Sequence, residues 1–199
     1  MSITATQLQN FARSPSAFRE HLLIDSDAGP VPLGSVLDDW QRADFSAMDN
    51  AWLRAAGHKI EQTGPSRAYL ERPRGQSKTL DLAVAVLWAL AFSPRQLSGV
   101  AAAADKTQAK LLRNSIDKMV RLNQWLGDVI DVQHSVVRNS RTGSALETLS
   151  SDVAASFGRT PDFIAVDEIT HWVGSGLWES LISLAAKRSH CVVICIANA

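Results

Sequence analysis

The 199-residue chain is 46% hydrophobic, enough for one substantial core but short for two independent domains of ordinary size. Its 20 basic and 20 acidic side chains cancel, which excludes a whole-molecule field drawing it to nucleic acid or to an anionic membrane and leaves only local contacts. The two cysteines, Cys191 and Cys195, sit in an apolar run, which argues against a disulfide scaffold and for a reduced, cytoplasmic protein. With no further Cys and no well-placed His to complete a metal site, they read as buried strand thiols.

Between Thr6 and Leu23, Leu8, Phe11, Ala12, Phe18 and Leu22 recur at roughly helical spacing, interrupted by Pro15, so a short helical lead-in is expected. The stretch Asp25 to Gly34 has turn and linker composition. Residues 1–34 are therefore expected to form a lead-in and linker, and residues 35–199 the main domain. Leu37, Trp40, Phe45, Met48, Trp52 and Leu53 suggest an amphipathic helix ended by Gly57. Ala68 to Leu70 reads as a short strand, Glu71 to Lys78 as a loop, and Thr79 to Ser93 as a helix stopped by Pro94. The apolar stretch Leu82 to Phe92 falls well below the roughly 20 residues a membrane helix needs, and the N-terminus has no basic region followed by an apolar core.

Further along, Leu97 to Ala103 reads as a strand and Asp105 to Trp125 as a long helix. Val129 to Val137 and Ala145 to Leu149 look extended, separated by the turn at Arg141-Thr142-Gly143. Phe163 to Val166 is a compact strand, Leu177 to Ala186 a helix, and Cys191 to Ile196 a final strand. Strands alternating with helices predict an α/β domain, a mostly parallel sheet with helices on both faces.

Arg72-Pro73-Arg74-Gly75-Gln76-Ser77-Lys78-Thr79-Leu80 lies between a short strand and a long apolar helix, the setting of a phosphate-binding loop. Amides at the helix start and the helix dipole meet phosphates, Lys78 neutralises their β and γ oxygens, and the Thr79 hydroxyl ligates Mg²⁺. The usual G-x-x-x-x-G-K-[ST] pattern is broken twice, by Arg72 and Ser77 at the glycine positions, leaving Gly75 as the loop's one glycine. A Lys-Thr pair by itself also fits an ordinary helix start. Support comes from Phe163-Ile164-Ala165-Val166-Asp167-Glu168, an apolar strand ending in two acids about 90 residues after Lys78. Asp167 would hold the Mg²⁺ shell and Glu168 would orient or deprotonate the attacking water.

From Trp40 onward the sequence resembles the ATPase half of the large terminase subunit of tailed phages. Large terminases commonly keep an Arg four residues before the loop Lys, here Arg74. Asp38-Asp39-Trp40-Gln41 resembles the family's adenine-contacting element. Gly99 to Ala109 resembles the strand-to-helix segment after the phosphate loop, and Ile194-Cys195-Ile196-Ala197-Asn198-Ala199 the strand whose polar end couples hydrolysis to movement. The resemblance implies a P-loop NTPase fold of the class with an extra catalytic Glu, preceded by a small helical N-terminal segment. It implies ATP contacts from Trp40, Gln41, Arg72, Arg74, Gly75, Gln76, Ser77, Lys78 and Thr79, with Lys78, Arg74 and Glu168 catalytic and Asn198 coupling. It also implies double-stranded DNA, a small terminase subunit and a portal as partners, no membrane, and a place in the host cytoplasm.

Large terminases carry a C-terminal nuclease domain, which is expected to be absent from this chain, so DNA cutting is not expected of it. A helicase-like nucleic-acid-dependent ATPase and a nucleotide-binding module that does not hydrolyse remain as alternatives. Lys106, Lys110, Arg113, Lys118, Arg121, Arg138 and Arg141 are potential phosphate contacts, but interspersed Asp105, Asp117 and Asp128 favour a solvated mixed-charge face. His171 lacks the second His of a zinc helix and reads as a surface or packing residue.

Overall fold

The computed structural model describes residues 3–61, 64–103, 106–149 and 160–199, with the backbone alone for 106–109. Ala104 and Asp105, part of the segment compared above, lie outside the described residues. The chain opens with two short helices, α1 (Ala5–Arg13) and α2 (Pro15–His21), separated at Ser14. Pro15 starts the second helix rather than merely breaking the first, because a proline at the first helical position gives up no hydrogen bond.

The turn-rich segment that follows is not a bare linker. It contains a two-residue antiparallel pair, β1 (Leu23–Ile24) with β2 (Val31–Pro32). Asn123 clasps it, accepting from the Leu23 amide at 3.0 Å and donating to the Leu23 carbonyl at 2.8 Å. The Trp88 indole donates to the Phe11 carbonyl at 2.8 Å, and Phe11 and Phe18 are fully buried against Phe92 and Trp125. The N-terminal helices therefore share the main core.

Helix α3 (Asp39–Ala55) leads to β3 (Arg67–Arg72), the phosphate-loop segment and α4 (Lys78–Phe92). After β4 (Ser98–Ala103), α5 (Lys106–Leu122) and the short α6 (Gln124–Gly127), the expected extended region splits into β5 (Ile130–Val132) and β6 (Val136–Asn139). Then come β7 (Ala145–Leu149), β8 (Phe163–Asp167), α7 (Gly176–Ala185) and β9 (Val192–Asn198).

Among the described residues, seven strands form one sheet in the order β3-β9-β8-β4-β7-β6-β5. The first five are mutually parallel, and β6 and then β5 complete the sheet, each paired antiparallel to the strand before it. The last strand in sequence thus lies between the first strand of the sheet and β8, with Arg72 opposite Asn198 and Asp167 opposite Ile196. Alternation along the buried strands serves two cores. Ala101, Phe163, Ala165, Val192, Ile194 and Ile196 face α3, α4 and α5, whereas Val100, Ala102, Ile164, Val166, Val193 and Cys195 face α7.

Gly99 is required by close packing, since an added Cβ would come within 2.0 Å of the Phe163 ring. At the end of the sheet away from the phosphate loop, buried Asp162 accepts from Arg95, Arg188 and the Ser98 amide, each at 2.8 Å, with His190 at 3.2 Å. This pins the entries to β4, β8 and β9 together.

Because Phe11 belongs to the main core, Phe11→Ala is expected to cost about 3–5 kcal/mol and to lower the single unfolding transition of the whole chain. Chemical denaturation followed by circular dichroism and by tryptophan fluorescence checks this; a separate early transition of the N-terminal helices would contradict it.

Candidate functional site

An open cleft of about 480 Å³ lies where β3, β9 and β8 end, within the size range of small-molecule sites. Its walls are Arg74 to Leu80 from the loop and the start of α4, Asp167, Glu168 and His171 from the end of β8, Asn198 from β9, and Leu111 from α5. Arg74, Gly75, Gln76, Ser77, Lys78, Thr79, Asp167, Glu168 and Asn198 are thus brought together from positions far apart in sequence. The other three expected site residues, Trp40, Gln41 and Arg72, are not among those walls.

The loop's turn is made twice over. Gly75 has φ +80° and space around any added Cβ, while Ser77, directly before α4, adopts φ +51°. The loop's one glycine therefore shares the bend with a non-glycine residue in the left-handed region. Glu168 takes φ +49° at the end of β8 and leads into a short 3₁₀ turn, Ile169–His171. Among the described residues, Ser77 and Glu168 are the two non-glycine residues at positive φ, and both sit in the cleft.

Lys78 is buried, and its ammonium donates to the Arg72 carbonyl at 2.8 Å, the Pro73 carbonyl at 3.0 Å and Asn198 Oδ1 at 2.8 Å. Asn198 in turn donates from Nδ2 to Glu168 Oε1 at 2.6 Å and from its backbone amide to Oε2 at 3.2 Å. One amide side chain therefore spans the loop cation and the carboxylate. His171, read from sequence as a surface or packing residue, is half-exposed at the rim with Nδ1 3.6 Å from Glu168 Oε2.

Asp167 is buried, and among the described residues neither of its carboxylate oxygens has a partner at full hydrogen-bonding geometry, although the Glu168 amide and the Thr79 hydroxyl lie near them. Burial pushes its carboxyl up to about 6 and the Glu168 charge adds to the rise, while the nearby Glu168 amide, the Lys78 charge and the Thr79 hydroxyl oppose it. Two buried, unpaired oxygens facing a cleft that also contains the Thr79 hydroxyl are the donor set a hard divalent cation requires, so these residues fit Mg²⁺.

Arg72 is turned the other way. Its guanidinium donates to Asp81 Oδ2 at 2.7 Å, to Asp44 Oδ2 at 2.6 Å and to the loop carbonyl of Gln76 at 3.3 Å, and lies 4.4 Å from the centre of the Trp40 ring. Gln41 is buried beside it, donating to Asp81. Burial raises the Asp81 carboxyl, against the pull of hydrogen bonds from Arg72 and Gln41. Neither Asp81 nor Asp44 stands out in the motif pattern, yet Asp81 had a signal: a lone acid inside the otherwise apolar run that forms α4 is rarely buried without a partner.

The sequence model of the family "Terminase large subunit, ATPase domain" matches residues 39–199, well over half of the chain. The chain belongs to the terminase large-subunit ATPase family. This terminase domain superposes on the large terminase of bacteriophage HK97 with a TM-score of 0.75 at 22% identity, covering 94% of this chain and 37% of that one. The ATPase domain of the Thermus phage P74-26 large terminase gives 0.56 at 19% identity, covering 73% and 67% of the two chains. The large terminase of another thermophilic bacteriophage, solved in complex with ADP, gives 0.52 at 10% identity, covering 74% and 38%. These likenesses establish the shared fold. A search of curated protein sequences finds no match.

Two expectations follow from the loop and from Asp167. Ser77→Gly relieves a left-handed non-glycine residue and should leave nucleotide affinity within about twofold, whereas Gly75→Val, a β-branched residue forced to positive φ, should weaken it by at least about tenfold. Calorimetric titration of both variants tests this, and equal affinities would contradict it. For Asp167, the folded-state carboxyl at about 6 lies above the usual 3.8, so the metal-free fold loses stability as pH rises from 4 through 6. Asp167→Asn should therefore stabilise the chelator-treated protein at pH 7 by up to about 3 kcal/mol, with the difference vanishing near pH 4. Denaturant melts at the two pH values measure it.

Proposed function

We propose that the cleft binds MgATP and hydrolyses it to ADP and phosphate, and that in the full protein this turnover drives translocation of double-stranded DNA. The observation that carries the reading is the Lys78–Asn198–Glu168 chain beside the unpaired oxygens of Asp167. A cation for phosphates, a base for water and an acceptor set for a divalent ion stand within one opening.

The chemistry follows from the groups. A triphosphate lying on the loop meets the backbone amides of Gln76 to Thr79 and the start of α4, where the helix dipole favours anions. Lys78 neutralises its terminal oxygens, and Arg74, exposed on the rim, is free to fold onto them. Thr79 and Asp167 would hold Mg²⁺, which when bound supplies further positive charge against the triphosphate. Glu168 orients a water and accepts its proton as the water oxygen attacks the γ phosphorus and the bond to the β-phosphate oxygen breaks. Negative charge gathering on the γ-phosphoryl oxygens is stabilised by Lys78, Arg74 and the loop amides. Asn198, bonded to both Lys78 and Glu168, is placed to report a change at either one to β9, which supports a coupling role.

Trp40 offers an exposed aromatic surface beside the loop, suited to a nucleotide base. The neutral balance of the chain supports DNA contacts that are local and completed by other parts of the packaging machinery, with the small terminase subunit and the portal as partners. The basic residues of α5 include Arg113, held by the Gln133 carbonyl and 3.8 Å from Asp117, and Arg121, paired with Asp117 at 3.0 Å, an arrangement that favours a solvated face over a DNA surface.

Lys78→Ala should weaken ATP binding by about 10- to 100-fold, the loss expected for a charge-assisted contact to a partly buried anion. Glu168→Gln should retain MgATP affinity and lower hydrolysis by about 10²- to 10⁴-fold. Nucleotide titration paired with phosphate release separates the two, and wild-type turnover in Glu168→Gln would assign the water to another residue.

A further inference from the structure

The turn that follows β8 sets one cleft side chain over another. Glu168 takes its left-handed backbone and opens the 3₁₀ turn Ile169–His171, which is closed by the His171 amide donating to the Glu168 carbonyl at 2.9 Å. With three residues per turn, a 3₁₀ helix places residue i+3 directly over residue i, where an α-helical turn would carry it to one side. His171 thereby lies over Glu168, with Nδ1 3.6 Å from Oε2. The far end of the turn is fixed as well, since the Trp172 indole donates to the Asp167 carbonyl at 3.2 Å and its ring packs on the core beneath α7. A strained residue held from both sides marks a turn shaped for its place in the cleft.

The two oxygens of the Glu168 carboxylate are not equivalent. Oε1 takes the Asn198 side-chain amide at 2.6 Å, whereas Oε2 takes the Asn198 backbone amide at 3.2 Å and faces His171. The side-chain contact is the movable one. Lys78 holds Asn198 Oδ1 at 2.8 Å, and a triphosphate that draws Lys78 onto its own oxygens releases that end of the amide. The backbone amide belongs to β9, which lies between two strands, and stays where it is. Once the Asn198 side chain turns, Oε1 is free for a water, and Oε2 keeps the β9 amide and the imidazole. One anchor lets a carboxylate swing, whereas two fix its plane. At 3.6 Å the Nδ1 contact is longer than a hydrogen bond, but catalytic contacts are often long in empty sites and tighten around substrate. The His171 side chain is 49% exposed, so the movement that closes the gap meets little packing.

We infer that His171 is a positioning residue for hydrolysis: it donates from Nδ1 to Glu168 Oε2 and so holds Oε1 toward the attacking water. The inference rests on the hydrolytic reading above. It needs a hydrogen on Nδ1, which one neutral tautomer and the imidazolium both supply. It needs no contact between His171 and the nucleotide, so binding and turnover part company when the imidazole is removed.

The test is single-turnover hydrolysis of MgATP by the full chain, with nucleotide affinity measured by calorimetric titration. His171→Ala should bind MgATP with wild-type affinity and hydrolyse it about 10- to 100-fold more slowly, the loss that a misplaced reacting group brings. His171→Asn, whose amide nitrogen falls near the place of Nδ1, should recover most of the rate. His171→Gln, whose amide reaches toward the place of Nε2, should not. A side chain that merely supports the fold would show the same loss in both amide variants, together with a lower denaturation midpoint. Wild-type turnover in His171→Ala, equal rates in the two amide variants, or a loss confined to affinity overturns the inference and leaves the hydrolytic site standing. An unsubstituted chain that fails to hydrolyse bound MgATP removes both.

Discussion

The position of β9 is the constraint on which the cleft depends. Two strand spacings, roughly 9.5 Å, separate β3 from β8 because β9 lies between them, and that gap sets the distance between the loop that carries Lys78 and the acids that end β8. A direct β3–β8 pair would bring cation and carboxylates close enough to neutralise each other. With β9 interposed, register places Asn198 opposite Arg72, and a neutral amide with both a donor and an acceptor meets Lys78 on one side and Glu168 on the other. The charges are held apart and still linked.

Around this gap the fold concentrates strain at one end and rigidity elsewhere. Ser77 accepts a left-handed backbone where the chain enters α4 and Glu168 where it leaves β8, a cost borne by elements that cannot shift: α4 is packed along its apolar length, and β8 is buried at every residue. At the opposite end, Asp162, just before β8, gathers donors from the α4–β4 and α7–β9 connections.

Much of this is legible in the sequence, for definite reasons. Buried parallel strands give continuous apolar runs, so β4, β8 and β9 are readable, as are the Lys78-Thr79 and Asp167-Glu168 pairs at the places where strands end. The order of strands is not, because β9 is last in the chain and nothing in its composition says that it inserts beside β3. The β1–β2 pair hides in a turn-rich segment, since two-residue strands leave no periodicity. Arg72 reads as a phosphate contact from its place in the loop, but its orientation depends on Asp44 and Asp81, partners 28 and 9 residues away that no local pattern joins. Gln41 sits in the same position: the residues beside it suggest a base contact, and its tertiary contact with Asp81, 40 residues distant, leaves no local signal.

Lys78, with its three donors all met by its own chain, is a contented cation, while Asp167 beside it is a buried carboxylate whose oxygens have no partner at full hydrogen-bonding geometry among the described residues. The cleft is thus lopsided in its unmet demand: its own residues have more need of positive charge than of negative. A bare polyphosphate would compete with carbonyl and amide oxygens for Lys78 and leave the frustrated carboxylate frustrated. On the proposed reading, a polyphosphate that arrives already paired with a divalent cation would satisfy the carboxylate as it engages the lysine, so the balance of charges in the cleft would favour the paired form.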